Sequence, residues 1–295
     1  MRKRVLILGV RGMLGHVVFR HLSCNSEIEV HASTTGATEE INRFPEAIRQ
    51  YIHCNIRIAE PKALEAIFSE LKPDVTINCV AMIRPVSIAA DLTKAVALNT
   101  TLPHRIAKLC NQSGTRFIHI STDSMFGGKR RLSKESDPLL APDLYTMTKV
   151  LGEVSTPGSV TIRTSIIGHE LENKTSFVEW FLSQENKVRG YSKVLYTGMP
   201  TIELARIINE FIIPNQKLNG TYHVSSDPVS KYDILQLIAG AYRKSIEIEE
   251  WPEPETDNSL DSSRFRKATG YSPSPWSLLV RDMHQDYLKH VAYYY

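Results

Sequence analysis

The sequence predicts an α/β fold, a doubly wound parallel sheet with a smaller C-terminal α/β lobe, and three observations predict it. Short apolar runs alternate with longer segments of helical period through the first half of the chain, as parallel strands joined by crossover helices do. A glycine-rich turn, Gly9-Val10-Arg11-Gly12-Met13-Leu14-Gly15, directly follows the first run and opens the first helical segment. Past Thr164 the alternation weakens into helices separated by Pro- and Gly-marked turns.

Taken in order, the expected strands are Val5–Gly9, Glu27–Ala32, Tyr51–Asn55, Val75–Val80, Arg116–Ser121 and Ser159–Thr164. Helices are expected between them near Met13–Leu22, Pro61–Leu71, Leu92–Ser113 and Tyr145–Val154, with ends uncertain by roughly 2–4 residues. Beyond Thr164, Phe177–Leu182, Ile202–Ile213 and Tyr232–Lys244 read as helices, and Glu249–Asp257, with Trp251, Pro252 and Pro254, reads as an exposed loop. This divides the chain into a nucleotide-binding domain over 1–165, part of 200–225 packing back on it, and a substrate lobe over 166–295. Nothing repeats at a fixed period.

Composition narrows the function classes. Of 295 residues 42% are hydrophobic and 23% charged, and no apolar run approaches the ~20 residues that span a bilayer. Met-Arg-Lys-Arg followed by Val5 to Val10 imitates a signal peptide, but the run meets Arg11 and Gly12 where an h-region should continue. Cys24, Cys54, Cys79 and Cys110 are dispersed, which suits reduced thiols in a cytoplasm. A net charge of +3 is too slight to argue for nucleic acid, and the ten histidines form no metal pattern.

The glycine turn carries the first functional argument. Glycines permit the tight turn, let backbone N–H groups approach a pyrophosphate at the positive end of a helix, and at Gly15 let the helix lie close to the strand. Gly-x-x-Gly-x-x-Gly is similar to the spacing of the short-chain dehydrogenase/reductase family, which implies a Rossmann fold and a nicotinamide dinucleotide. A carboxylate after the second strand would hold the ribose hydroxyls of NAD, yet His31-Ala32-Ser33-Thr34-Thr35 contains none. Arg11 in the turn, with the hydroxyls of Ser33 and Thr34, suits a 2′-phosphate instead, so NADPH is expected over NADH.

The second argument is Tyr145-Thr146-Met147-Thr148-Lys149, which sets a phenol and an ammonium four residues apart on one helix face. A tyrosine near its usual pKa of about 10 is a poor proton shuttle at neutral pH, and a fixed cation brings it towards the working range. The strand ending Ile120-Ser121-Thr122-Asp123 delivers hydroxyls at the carboxyl end of the sheet, where open α/β folds bind ligands.

Ser121-Thr122-Asp123-Ser124-Met125-Phe126, then Tyr145 to Lys149, then Gly152-Glu153, resembles the dTDP-4-dehydrorhamnose reductase branch of the extended short-chain dehydrogenases, over a span from Gly9 to Ser262-Ser263-Arg264-Phe265. The resemblance implies reduction of a keto-sugar on a nucleotide diphosphate, a step in making cell-surface polysaccharide precursors. It implies Thr122 as partner of the carbonyl, Tyr145 as proton donor and Lys149 as the cation that lowers its pKa and holds the ribose. Asn99 matches the family's active-site asparagine, and Cys79-Val80-Ala81 the turn along the cofactor. Asn55, at the end of the third strand, stands where relatives commonly carry an aspartate near the adenine, and Ile56 after it is a further expected cofactor contact. Ser124, Met125, Thr164 and Ile166 are the expected substrate contacts. Arg11-Gly12-Met13 also resembles the turn of GDP-fucose synthase, another NADPH-dependent reductase.

Two departures bear on chemistry. Ser124 replaces a common tyrosine, and it stands where the 4,6-dehydratases carry glutamate, which disfavours dehydration. Lys129-Arg130-Arg131 is a basic run in a loop, read as diphosphate contact or as solvated surface. Two rivals remain: an epimerase that keeps its cofactor and returns the hydride, and a non-catalytic subunit resembling the methionine adenosyltransferase β subunit. A homodimer is the family's expectation.

Overall fold

A computed structural model describes residues 2–83, 91–129, 131–172 and 174–294. Six strands follow one another as expected: β1 (Lys3–Leu8), β2 (Ile28–Ser33), β3 (Ile52–His53), β4 (Val75–Asn78), β5 (Arg116–Ile120) and β6 (Ser159–Arg163). They lie in the order β3-β2-β1-β4-β5-β6, with Gly220–His223 added beyond β6 as a seventh strand. Every pairing in this sheet is parallel. The order reverses between β1 and β4, so a crevice opens above their carboxyl ends.

The β1 sequence shows why the sheet is buried on both sides. Val5 and Ile7 face one core with Val18, Phe19, Ile77 and Ile118, while Leu6 and Leu8 face a second with Leu64, Phe68, Ile106 and Phe117. A strand covered twice must be apolar at every position, which is what Val5-Leu6-Ile7-Leu8 is. Helix Gly15–Ser23 covers the first face together with helix Thr201–Ile207; helices Pro61–Leu71 and Leu102–Ser113 cover the second.

The expected helix over 92–113 is continuous but contains a π-helical stretch, Val96–Thr101, centred on Asn99. The helix from Thr201 likewise runs into a π-helical stretch, Ile208–Ile212. Such widened turns cluster at functional positions.

Glu249–Asp257 departs from the expected loop. Glu247–Trp251 pairs in parallel with Lys187–Tyr191, and Thr256–Asp257 pairs with Val194–Tyr196. Only 252–255, which joins these two strands, keeps the expected loop; on the first strand Lys187 bridges Glu247 at 3.1 Å and Glu249 at 3.3 Å, and the Arg189 guanidinium lies 4.0 Å from the Trp251 ring centre. Helices Ser263–Thr269 and Trp276–Lys289 were not anticipated. The second buries Trp276, Leu279, Val280 and Met283, a helical spacing, against Phe181, Ile234 and Ile238 in a third core. Among the described residues no helix is long and apolar enough to cross a membrane.

Candidate active site

The glycine turn is shaped by contacts that admit no side chain. Gly9 has φ +90, and a Cβ there would stand 2.7 Å from Val80 Cγ2. At Gly15 a Cβ would overlap the Gly9 carbonyl oxygen, so helix Gly15–Ser23 lies against the turn itself. Gly9 N and Val10 N both donate to Ser33 O at 3.1 Å, tying the turn to the end of β2. Gly12 differs: a Cβ there would make only ordinary contacts, the nearest with the Gly9 carbonyl oxygen at 3.5 Å, and the residue lines the cleft above the turn. No side chain caps the helix start and its first turn holds no acidic residue, which leaves its positive end available to an anion.

A cleft of about 830 Å³ runs over this turn. Of the expected cofactor residues, Gly9, Arg11 and Gly12 line it from the turn and Ser33 and Thr34 from the end of β2. Ile56 lines it from beyond β3, and Cys79, Val80 and Ala81 from beyond β4. Met13, Leu14 and Gly15 lie at the helix start and do not line it, nor does Asn55. Asn55 has φ 59 and donates its N–H to Gly36 O, a left-handed turn that asparagine tolerates better than most residues. Arg11 is ion-paired with Glu40 and Glu172.

Asn99 is fully buried and spends its side chain on the protein. Its Oδ1 accepts from Met82 N at 2.8 Å, and its Nδ2 donates to Met82 O at 2.9 Å and to Thr148 Oγ1 at 3.0 Å. It therefore braces the turn after β4 against the helix that carries Tyr145 and Lys149.

That helix, Leu144–Leu151, is capped by Asp143, whose Oδ1 accepts from Thr146 N at 2.8 Å. Tyr145 is half-buried on its first turn and Lys149 is buried one turn later. Lys149 Nζ donates to Ile120 O at 2.6 Å, which seats the ammonium at the end of β5. Burial brings its pKa down to about 8, with Glu153 and Cys79 opposing, and burial pushes the Cys79 thiol up to about 12.

Thr122 is buried just past β5, and its hydroxyl accepts from Ser124 N at 3.3 Å. Of the expected substrate contacts, Ser124 turns its hydroxyl to Asp123 Oδ1 at 3.3 Å. Met125 packs with Phe126 and Leu260 and is wholly buried, so adjacency to Thr122 in sequence does not bring its side chain to the cleft. Thr164 is buried at the end of β6, and Ile166 lies half-buried in the pairing of Ile166–Ile167 with Met199–Pro200. In the basic run, Lys129 and Arg131 are exposed and Arg130 lies outside the described residues.

Beside Thr122, Asp123 and Lys231 act on one another. Burial raises the Asp123 carboxyl to about 6, opposed first by Lys231, and burial lowers Lys231 to about 8, opposed by Asp123. The Lys231 ammonium sits 4.0 Å from the Tyr196 ring centre and 4.3 Å from that of Phe177. A signal was available: Lys231 opens a helix capped by Ser230, and a cation at a helix N-terminus opposes the macrodipole. Among the described residues no group of three or more His, Cys, Asp or Glu could hold a metal ion.

The family model described as the RmlD substrate binding domain matches residues 2–289. The spore coat polysaccharide biosynthesis protein SpsK of Bacillus subtilis (strain 168) is 28% identical, covering 96% of this chain and 97% of that protein. Methionine adenosyltransferase 2 subunit beta of Xenopus laevis is 25% identical, covering 93% of this chain and 79% of that protein. A solved dTDP-4-dehydrorhamnose reductase of Bacillus anthracis str. Ames, in complex with NADP, superposes with a TM-score of 0.80 at 18% identity, covering 97% of this chain and all of that one.

Proposed function

Because the chain belongs to the RmlD substrate binding domain family, we propose that it is an oxidoreductase that uses NADPH to reduce the 4-keto group of a nucleotide-diphosphate-linked 6-deoxy sugar. The observation that carries this is the seating of Lys149 on Ile120 O, one helical turn from Tyr145 and at the strand end that leads into Thr122. Gly12, which lines the cleft at the uncapped start of the first helix, suits a pyrophosphate.

NADPH would lie along the cleft over Gly12 and supply the hydride. Lys149 holds a positive charge beside the phenol and stabilises the phenolate left after proton transfer. Tyr145 gives its proton to the oxygen of the reduced carbonyl, and the Thr122 hydroxyl donates a hydrogen bond to the same oxygen. Asn99 touches no reacting atom; it fixes the helix of Tyr145 and Lys149 against the turn after β4. The sugar nucleotide would be covered from the C-terminal half, where Thr164 and Ile166 lie. Four free cysteines suit work in a reducing cytoplasm.

The test is NADPH and NADH oxidation with dTDP-, UDP- and GDP-linked 4-keto-6-deoxy sugars, comparing wild type with Tyr145→Phe. Turnover that prefers NADPH and falls at least about 100-fold in the variant, with NADPH affinity unchanged, supports the reductase and identifies its nucleotide. The likeness to methionine adenosyltransferase 2 subunit beta favours a second reading, a non-catalytic partner subunit. Cofactor binding without turnover on any of the sugars, together with a stable complex with a methionine adenosyltransferase catalytic subunit, would decide for it.

A further inference from the structure

Arg11, in the turn after β1, reaches the loop after β2, where a dinucleotide's ribose is read, and two carboxylates already hold it. Its Nη2 lies 2.5 Å from Glu40 Oε2 and 2.5 Å from Glu172 Oε1, which also accepts from Nε at 2.9 Å. Gly36 makes room, since a Cβ there would overlap Arg11 Nη1. The two acids are not equivalent. Glu40 is committed to its own loop through Oε1, which accepts from Ala37 N at 2.8 Å. Among the described residues Arg11 is the only side-chain partner of Glu172, which lines the cleft together with Gly12 and Thr34. The Glu172 backbone is anchored by its neighbour: Leu171 is buried in the main core and its carbonyl accepts from Arg43.

Resting on the reading above that the cleft takes a nicotinamide dinucleotide, we propose that Glu172 sets cofactor selectivity by occupying the 2′-phosphate position of the cleft as a resident carboxylate. A guanidinium fork accepts a carboxylate and a phosphate with the same bidentate geometry, so the two compete for Arg11. Both carboxylates already pair with the Arg11 guanidinium, so a phosphate has to displace one of them to reach it. For NADPH to dock on Arg11, Glu172 swings away. For NADH it stays, and its free lone pairs accept from the ribose 2′-hydroxyl. Glu172 therefore narrows an NADPH preference that Arg11 alone would make larger.

The experiment is equilibrium binding of NADPH and of NADH, by calorimetry, to wild type, Glu172→Gln, Arg11→Ala and the double variant. Glu172→Gln is expected to tighten NADPH by about two- to fivefold, the worth of a half-exposed ion pair, and to leave NADH unchanged or weaker. Arg11→Ala is expected to weaken NADPH by about tenfold or more and to cancel the gain in the double variant. An NADPH affinity indifferent to Glu172→Gln, an equal gain for both cofactors, or a gain that survives Arg11→Ala would overturn the proposal while leaving the reductase standing. Failure of wild type and all variants to bind either cofactor would overturn both.

Discussion

Lys149 has to carry charge in a place that resists it. Burial lowers its pKa to about 8 from the 10.5 of a free lysine. Between those values the unfolded chain binds a proton that the folded chain lacks, so this lysine's contribution to stability rises with pH through that window and is lost as pH falls through about 8. Activity runs the other way, because the phenolate of Tyr145 needs the ammonium. We expect kcat/KM to fall as pH rises through about 8, and Lys149→Met to lack turnover while showing a shallower rise in unfolding free energy between about pH 8 and 10. Urea melts across that range check the second point, and a slope equal to wild type would refute it. Lys231, also lowered to about 8 by burial, adds to the slope, and the Cys79 and Cys110 thiols, both pushed up to about 12, subtract from it above about pH 9. Lys149 was legible in the sequence because its partner stands one helical turn away. The Asp123–Lys231 pair and the Arg11–Glu172 pair were not, because each joins residues far apart in the chain that only the folded sheet brings together.

At the scale of elements, the site depends on how firmly helix Leu144–Leu151 begins. Asp143 accepts from both the backbone N–H and the hydroxyl of Thr146, at 2.8 and 2.9 Å, and so fixes the first turn where Tyr145 sits. Asp143→Ala is expected to cost about 1 kcal/mol of stability and to lower kcat more than it raises the KM for NADPH. Asp143→Asn, which caps as well, should restore both. Equal losses in the two variants would show that the charge of Asp143 matters and its capping does not. Local patterns of this kind are what the sequence carried best: the six strands and the glycine turn follow from residues within a few positions of each other. Glu247–Trp251 escaped because its two apolar residues, Ile248 and Trp251, are three apart and fall on opposite faces of a strand, so no alternation marks it, and the prolines after it suggested a loop. The late helix Trp276–Lys289 carries the helical spacing of Trp276, Leu279, Val280 and Met283 plainly in its sequence.

At the scale of the molecule, that late helix returns to the start of the chain. Asp286 on it accepts from Arg20 Nη2 at 2.9 Å, and both side chains are largely buried. Arg20 stands on the helix that opens at Gly15, so the pair ties the C-terminal segment to the element on which the cofactor turn is built. Tyr293 and Tyr294 complete the seam: the Arg20 guanidinium lies 5.1 Å from the Tyr293 ring centre, Tyr293 meets Phe44 edge-on, and the Tyr294 hydroxyl lies 3.2 Å from His16 Nε2. Burial holds His16 neutral, with its pKa lowered to about 3. Removing one member of a buried pair strands the other charge, so Asp286→Leu should cost about 3–5 kcal/mol and lower the Tm by several degrees. Removing both is a different matter, because two apolar side chains of similar volume can replace a buried ion pair at little cost. The double variant Arg20→Met, Asp286→Leu is therefore expected to recover most of that loss, and calorimetric melts of the three variants check it. A double variant no more stable than Asp286→Leu alone would mean that the seam depends on the specific hydrogen bonds of Arg20 to Asp286 and Tyr294, and that its charge pairing is secondary.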